Sequence, residues 1–208
     1  MVTCRRWLLV AAERREFDGI LKRFGEFKEF DWPARFAAET EGNGDRFVMI
    51  ANGPGARLVE LALSKRIEVD GMISTGFCGA LDPSLRVGDI VRDLCTIDRV
   101  ATTAAEKQKL RASTGAMGVD MESSAVAQKA AEWGVTFQAI RVVSDTADDD
   151  MPLDFNIYRD REGRFSRTRI AMAAMARPFT AVPALLRLDR NCRMAAESLG
   201  KFFADSRL

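Results

Sequence analysis

Short apolar runs that alternate with stretches of helical period constrain this chain most, because strands and helices taking turns build an α/β domain. Trp7-Leu8-Leu9-Val10-Ala11-Ala12 predicts a first buried strand. The run is too short for a membrane span, and Glu13, Arg14 and Arg15 stand where a signal cleavage site needs small residues. Phe17, Ile20, Leu21 and Phe24 fall at i, i+3, i+4 and i+7, so a helix follows directly. Two strands are expected around residues 35–40 and 47–51, joined at Gly42-Asn43-Gly44 by a hairpin that tolerates positive φ. Gly53-Pro54-Gly55 opens a helix expected to reach about Arg66. Gly71–Thr75 predicts another buried strand, and Gly76-Phe77-Cys78-Gly79-Ala80-Leu81 reads as a loop that lets backbone approach a ligand.

Farther on, Asp98–Ala116 is weakly patterned, with a short helix expected around 104–111. Met117–Asp120 reads as a strand edge, Ser123–Trp133 as a helix stopped by Gly134, and Thr136–Val143 as a central strand with Ser144 and Asp145 at its carboxyl end. Ligands of open α/β sheets gather beyond such ends. In the tail, Pro152, Pro178 and Pro183 separate a helix near 162–176 from a last one over about 184–203, whose stripe of Leu185, Leu188, Cys192, Ala195, Leu199 and Phe202 covers the core or a dimer interface. No repeat or linker divides the 208 residues, so one domain is expected over 1–208.

The chain contains no histidine. Ser-His-Asp and Cys-His nucleophiles and His-containing zinc sites are therefore excluded, and acid–base chemistry falls to carboxylates. With 31 Lys+Arg against 30 Asp+Glu and 8% aromatics, neither a basic field nor stacking platforms point to nucleic acid. A small-molecule substrate is expected. Cys4, Cys78, Cys95 and Cys192 form no CxxC pair and read as reduced thiols of a cytoplasmic protein. Asp148-Asp149-Asp150 reads as a solvated loop, since consecutive carboxylates point apart instead of converging on a metal.

Three patterns occur together: Thr75-Gly76-Phe77-Cys78-Gly79-Ala80, Gly118-Val119-Asp120-Met121-Glu122-Ser123 and Ile140-Arg141-Val142-Val143-Ser144-Asp145. Their order resembles the purine nucleoside phosphorylase and methylthioadenosine/S-adenosylhomocysteine nucleosidase superfamily, from about Trp7 to Asp148. The tail is more similar to the hopanoid-associated phosphorylase branch. The resemblance implies a three-layer α/β/α domain with a central mixed sheet, a homodimer, no cofactor beyond possible inorganic phosphate, and cleavage of the N-glycosidic bond of a purine nucleoside-like substrate. Such a transition state is oxocarbenium-like and needs an acid for the leaving group, stabilisation of a cationic sugar and a placed nucleophile.

By the same resemblance Asp145 is the acid at the departing base, and Glu122 and Met121 hold the sugar. Glu16 activates water, with Glu13 as its rival, and Gly76, Phe77, Cys78 and Gly79 form a loop beneath sugar or nucleophile. Ser144 and Arg141 complete the substrate site. An acid needs its pKa raised by burial, whereas Arg141, four residues from Asp145, would lower it if their charges met. The nucleophile also stays open. Phosphorylases of this superfamily place an arginine and a serine where this chain has Ser74 and Phe77, which favours water, and Arg57 is the substitute cation for phosphate. Only thirty residues lie between Asp89 and Asp120, an interval longer in most of the family, where it contacts the base. This shortening brings in a third reading, a catalytically weak nucleoside-binding protein with a truncated base pocket.

Overall fold

The computed structural model describes residues 4–206. Strand β1 (Arg6–Ala11) leads through a 3₁₀ turn (Arg14–Phe17) into α1 (Asp18–Phe24). The short β2 (Phe27–Glu29), which the sequence pattern does not announce, precedes the hairpin of β3 (Phe36–Gly42) and β4 (Asp45–Ala51). Helix α2 (Ala56–Ala62) stops short of the expected Arg66. The order continues with β5 (Gly71–Ala80), β6 (Ile90–Val91), β7 (Leu94–Thr96), α3 (Ala104–Thr114), β8 (Gly118–Asp120), α4 (Ser123–Trp133) and β9 (Thr136–Asp145). A second 3₁₀ turn (Phe155–Tyr158) leads to α5 (Arg167–Met175) and α6 (Ala181–Asp205).

Among the described residues the strands form one mixed sheet, ordered β2-β3-β4-β1-β5-β8-β7, with β9 on the other edge of β5 and β6 beyond it. Side chains alternate across each strand, so β1 sends Trp7, Leu9 and Ala11 to one face and Leu8 and Val10 to the other. The first face packs under α1 and α6 through Phe17, Ile20, Ala195, Leu199 and Phe203. The second packs under α2 and α4 through Val59, Ala62, Val126 and Ala130. The result is the expected three-layer α/β/α architecture.

The two helices on the first face touch backbone to backbone. A Cβ on Gly19 of α1 would lie 1.9 Å from Ala196 O, and one on Gly200 of α6 would lie 2.2 Å from Gly19 C. This crossing sets α6 tightly against the sheet. Its start at Ala181 is three residues earlier than the proline suggested, because Pro183 sits in the first turn, where no intrahelical N–H is needed. Helix α5 is shorter than expected, since the stretch before Arg167 folds as turns.

The expected loop at 76–81 is a correction. Gly76 to Ala80 continue β5, which pairs with β9 from Gly71 to Gly79 and bulges between Cys78 and Gly79. On its other edge β5 pairs with β1 only through Ser74 and with β8 only at Gly79 and Ala80. Between these two partners that edge of the strand is free of ladder bonds. The gap opens at the carboxyl end of β1, where an α/β sheet presents its site.

Candidate active site

A cavity of about 650 Å³ lies over this gap. Its wall includes Glu16, Phe77, Cys78, Gly79, Met121, Glu122, Ser144 and Asp145, which therefore meet at one place as expected. Gly76 and Arg141, also expected at the ligand, stand behind the wall instead.

Glu16 is buried in the 3₁₀ turn after β1. Its carboxylate accepts the N–H groups of Ala12 at 2.8 Å, Glu13 at 3.2 Å and Phe77 at 3.3 Å, the last from the open edge of β5. Burial pushes its pKa up to about 7, against the pull of Arg141 and with some reinforcement from Glu122. A carboxyl that titrates near neutrality results. Glu13 also lines the cavity, yet it is turned to Arg15 at 3.1 Å and Arg167 at 3.5 Å. Gly76 is what lets Glu16 in: its φ is +111°, and a Cβ there would lie 2.4 Å from Glu16 Oε2.

Asp120 ends β8, and the chain turns through Met121 and Glu122 into α4. Glu122 is buried and accepts the Gly55 N–H at 2.8 Å, which ties the glycine turn before α2 to the site. Arg141, wholly buried in β9, reaches Asp120 at 2.9 Å, Glu122 at 3.0 Å and the Ser74 hydroxyl at 2.8 Å. Burial holds the Glu122 pKa up while Arg141 opposes it. One guanidinium shared by two carboxylates leaves this cluster a formal charge of −1 when both are ionised. Met121 packs beside it, 3.6 Å from Arg159 Nη2 and 3.9 Å from the position of a Gly55 Cβ.

The competition expected between Arg141 and burial at Asp145 does not arise in that form, because Arg141 faces Asp120 and Glu122. The cation at Asp145 is Lys107 of α3, whose Nζ lies 2.5 Å from Asp145 Oδ2. Ser144 donates its hydroxyl to Asp145 Oδ1 at 2.8 Å. Burial dominates and raises the Asp145 pKa, with Lys107 and Ser144 holding it back. Nothing in the sequence pattern marks Lys107. A lysine on a helix whose pattern is weak reads as solvated, and the structure shows α3 capped by Thr103, whose Oγ1 accepts the Glu106 N–H at 3.2 Å.

The acidic run beyond β9 is structured around backbone donors. Asp149 accepts from the Thr146 N–H and hydroxyl at 3.0 and 2.7 Å, and Asp150 accepts the Ala104 N–H at 2.8 Å at the start of α3. Among the described residues no group of three or more Cys, Asp or Glu side chains is placed to hold a metal ion. Cys78 and Cys192, both facing the cavity, are free thiols pushed upward in pKa by burial. The tail closes the far wall with Phe155, Phe165, Ile170, Leu185 and Leu188. Helix α6 thus serves twice, its first turns lining the cavity and its last turns covering the core.

Ser74 and Arg57 bear on a phosphate site. Ser74 is wholly buried and engaged by Arg141 and by Ser123 at 3.0 Å, and Arg57 is exposed and absent from the cavity wall. Arg15 does line the wall, but it is paired with Glu13 and lies 3.8 Å from Asp189.

The 5′-methylthioadenosine/S-adenosylhomocysteine nucleosidase of Shewanella sp. (strain W3-18-1) is 30% identical over 125 residues, which cover 57% of this chain and 46% of that protein. The nucleosidase of the same name from Shewanella halifaxensis is 31% identical over 119 residues, covering 54% and 43%. The match spans about half the length of these curated relatives. Among solved structures, the Helicobacter pylori nucleosidase of that name superposes with a TM-score of 0.66 at 16% identity, covering 96% of each chain. The futalosine hydrolase of Helicobacter pylori superposes at 0.63 with 17% identity, covering 96% of this chain and 95% of its own. These likenesses show the fold. The sequence model of the phosphorylase superfamily matches residues 8–92 and 93–178, and the chain belongs to that superfamily.

Proposed function

We propose that this protein hydrolyses the N-glycosidic bond of a purine nucleoside-like small molecule, with water as nucleophile. The observation that carries the reading is the meeting of three buried carboxylates, Glu16, Glu122 and Asp145, on one cavity wall, each with a raised pKa. Glu16 near neutrality suits a base that takes a proton from water. Glu122, in the cluster with excess negative charge, suits the sugar hydroxyls and the developing oxocarbenium charge, with Met121 against the sugar. Asp145, whose pKa burial raises against the pull of Lys107, suits the acid at the leaving base, with Ser144 orienting it. Phe77, Cys78 and Gly79 form the strand floor beneath the ligand, and Arg141 supports Glu122 from behind.

The nucleosidase names of the curated relatives agree with this reaction. The engagement of Ser74, the exposure of Arg57 and the pairing of Arg15 favour water over inorganic phosphate, which stays the alternative co-substrate. The aromatic and aliphatic tail residues on the far wall support an apolar substituent on the ribose. A resident cofactor has no part in the proposed reaction. We further propose a single domain, a homodimer and a cytoplasmic location. The exposed Phe179, Leu186 and Met194 support the dimer, and among the described residues no helix is long and apolar enough to cross a membrane.

The test is incubation with a panel of purine nucleosides, 5′-substituted ones included, followed by chromatography for free base. Release of base by the wild type and its loss in Asp145→Asn are expected. Release that survives Asp145→Asn removes the acid assignment. Binding of nucleosides without release from any of them would favour the weak-binding alternative.

A further inference from the structure

One buried cation on the cavity wall, Lys107, has no part in the proposed reaction. Lys107 is 0% exposed, and its Nζ meets Asp145 Oδ2 at 2.5 Å, the Thr146 carbonyl at 2.7 Å and the Asp149 carbonyl at 3.0 Å. An ammonium carries three N–H donors, so these three oxygens use all of them. Lysines are rarely buried unless paired, and this one is aimed by two carbonyls at a single carboxylate oxygen. With no donor left for a ligand, Lys107 can act on reacting atoms only through Asp145.

We propose that Lys107 is a positioning residue that supplies protons to Asp145, so that the pair and not the carboxyl alone is the acid for the leaving base. This rests on the N-glycosidase reading. As the bond from C1′ to the base nitrogen breaks, its electron pair stays with the base, which takes a proton from Asp145. Lys107 passes a proton across the short contact to Asp145 and becomes a neutral amine. Water adds its hydroxyl to C1′ and its proton to Glu16. Solvent then reprotonates the amine and deprotonates Glu16, which restores the site.

The surroundings fit a local exchange of protons. The groups that face the pair are Asp149 on the loop after β9, whose carboxylate is occupied by Thr146, and the thiols Cys78 of β5 and Cys192 of α6, both pushed upward in pKa by burial and hence neutral. Glu106, next to Lys107 on α3, is paired with Arg99. Gly79 leaves room for the carboxyl, since a Cβ there would come to 3.0 Å from Asp145 Oδ2.

The experiment reads the pair twice, without substrate and with it. Carboxyl ¹³C-labelled aspartate is followed by NMR over a pH titration, with the Asp145 signal assigned by its absence in Asp145→Asn. Lys107→Met removes the opposing cation, so the Asp145 midpoint is expected to rise by about one unit or more. In turnover, the alkaline limb of the kcat profile is expected to follow the carboxyl's own midpoint, because no ammonium is left to resupply its proton. The plateau should fall by about tenfold to a hundredfold, with little change in KM. Lys107→Arg keeps the charge but holds its proton at any working pH. It should restore the Asp145 midpoint and leave kcat low, and it carries the test if the methionine variant does not fold. An unmoved midpoint in Lys107→Met overturns the pairing, and full kcat in Lys107→Arg overturns the proton supply. Absence of base release by the wild type would strike the N-glycosidase reading instead, with the NMR result on the pair still standing.

Discussion

Two buried cations face this cavity's carboxylates, and they serve them differently. Arg141 lies behind the wall and is shared by Asp120 and Glu122, so its cluster carries surplus negative charge. Lys107 is matched to Asp145 as its one carboxylate, so that cluster is neutral as an ion pair. In the proposed reaction a histidine-free cavity thereby offers an anion to the developing sugar cation and a proton to the departing base. A guanidinium, always charged and broad enough to reach several oxygens, suits the first role, and an ammonium that can give up a proton suits the second.

The largest effects should come from breaking either cluster. Asp145→Asn is expected to lower kcat by about 10²- to 10⁴-fold, the usual contribution of a placed acid, measured by steady-state base release. It also leaves the Lys107 ammonium buried without its counter-charge. Arg141→Met should cost about 3–5 kcal/mol of stability in urea titration, because two buried carboxylates lose their shared partner. A loss under about 1 kcal/mol would mean that Asp120 and Glu122 are not held by Arg141.

The pH dependence sharpens the same contrast. Glu16 must be ionised to act as a base, so kcat/KM should fall as pH drops through about 7, and Glu16→Gln should remove that acidic limb together with most of the rate. The stability sign is the opposite. A carboxyl whose folded pKa is raised favours the folded state at low pH, and this contribution is lost as pH rises through about 7. Glu16→Gln should therefore flatten that part of the stability profile.

Smaller effects test the supports. Gly76→Ala should destabilise by about 1–3 kcal/mol through its positive φ and should displace the Glu16 carboxylate, so its thermal midpoint and its rate fall together. Thr103→Ala should cost only about 1 kcal/mol in the same assay by uncapping α3. If Lys107 is anchored by α3, this change should also weaken turnover slightly.

The two clusters were unequally legible in the sequence. Glu122 and Asp145 stand at strand ends marked by short apolar runs, Arg141 lies within such a run, and the Asp-Met-Glu-Ser and Arg-x-x-Ser-Asp patterns pointed to them directly. The partner of Arg141 was not legible, because the pairing depends on β8 and β9 lying on opposite edges of β5. Lys107 was invisible for a related reason. Helix α3 is mostly exposed and has no apolar stripe, so the single lysine that turns inward is distinguished only by the loop of Thr146 and Asp149 folding over it. The glycines of 76–79 suggested a loop, yet β9 supplies a strand partner throughout and the missing side chains admit Glu16 and Asp145. The short interval from Asp89 to Asp120 suggested a truncated base pocket, and there the wall takes Lys107 from α3 and apolar side chains from the tail.

In the proposed reaction the cavity delivers water, activated by Glu16, to the sugar carbon. The most direct measurement is the identity of the sugar released when wild-type protein cleaves a nucleoside in buffer containing inorganic phosphate. Free sugar, formed at the same rate with and without phosphate, is the predicted result. A sugar 1-phosphate formed only when phosphate is present would contradict it.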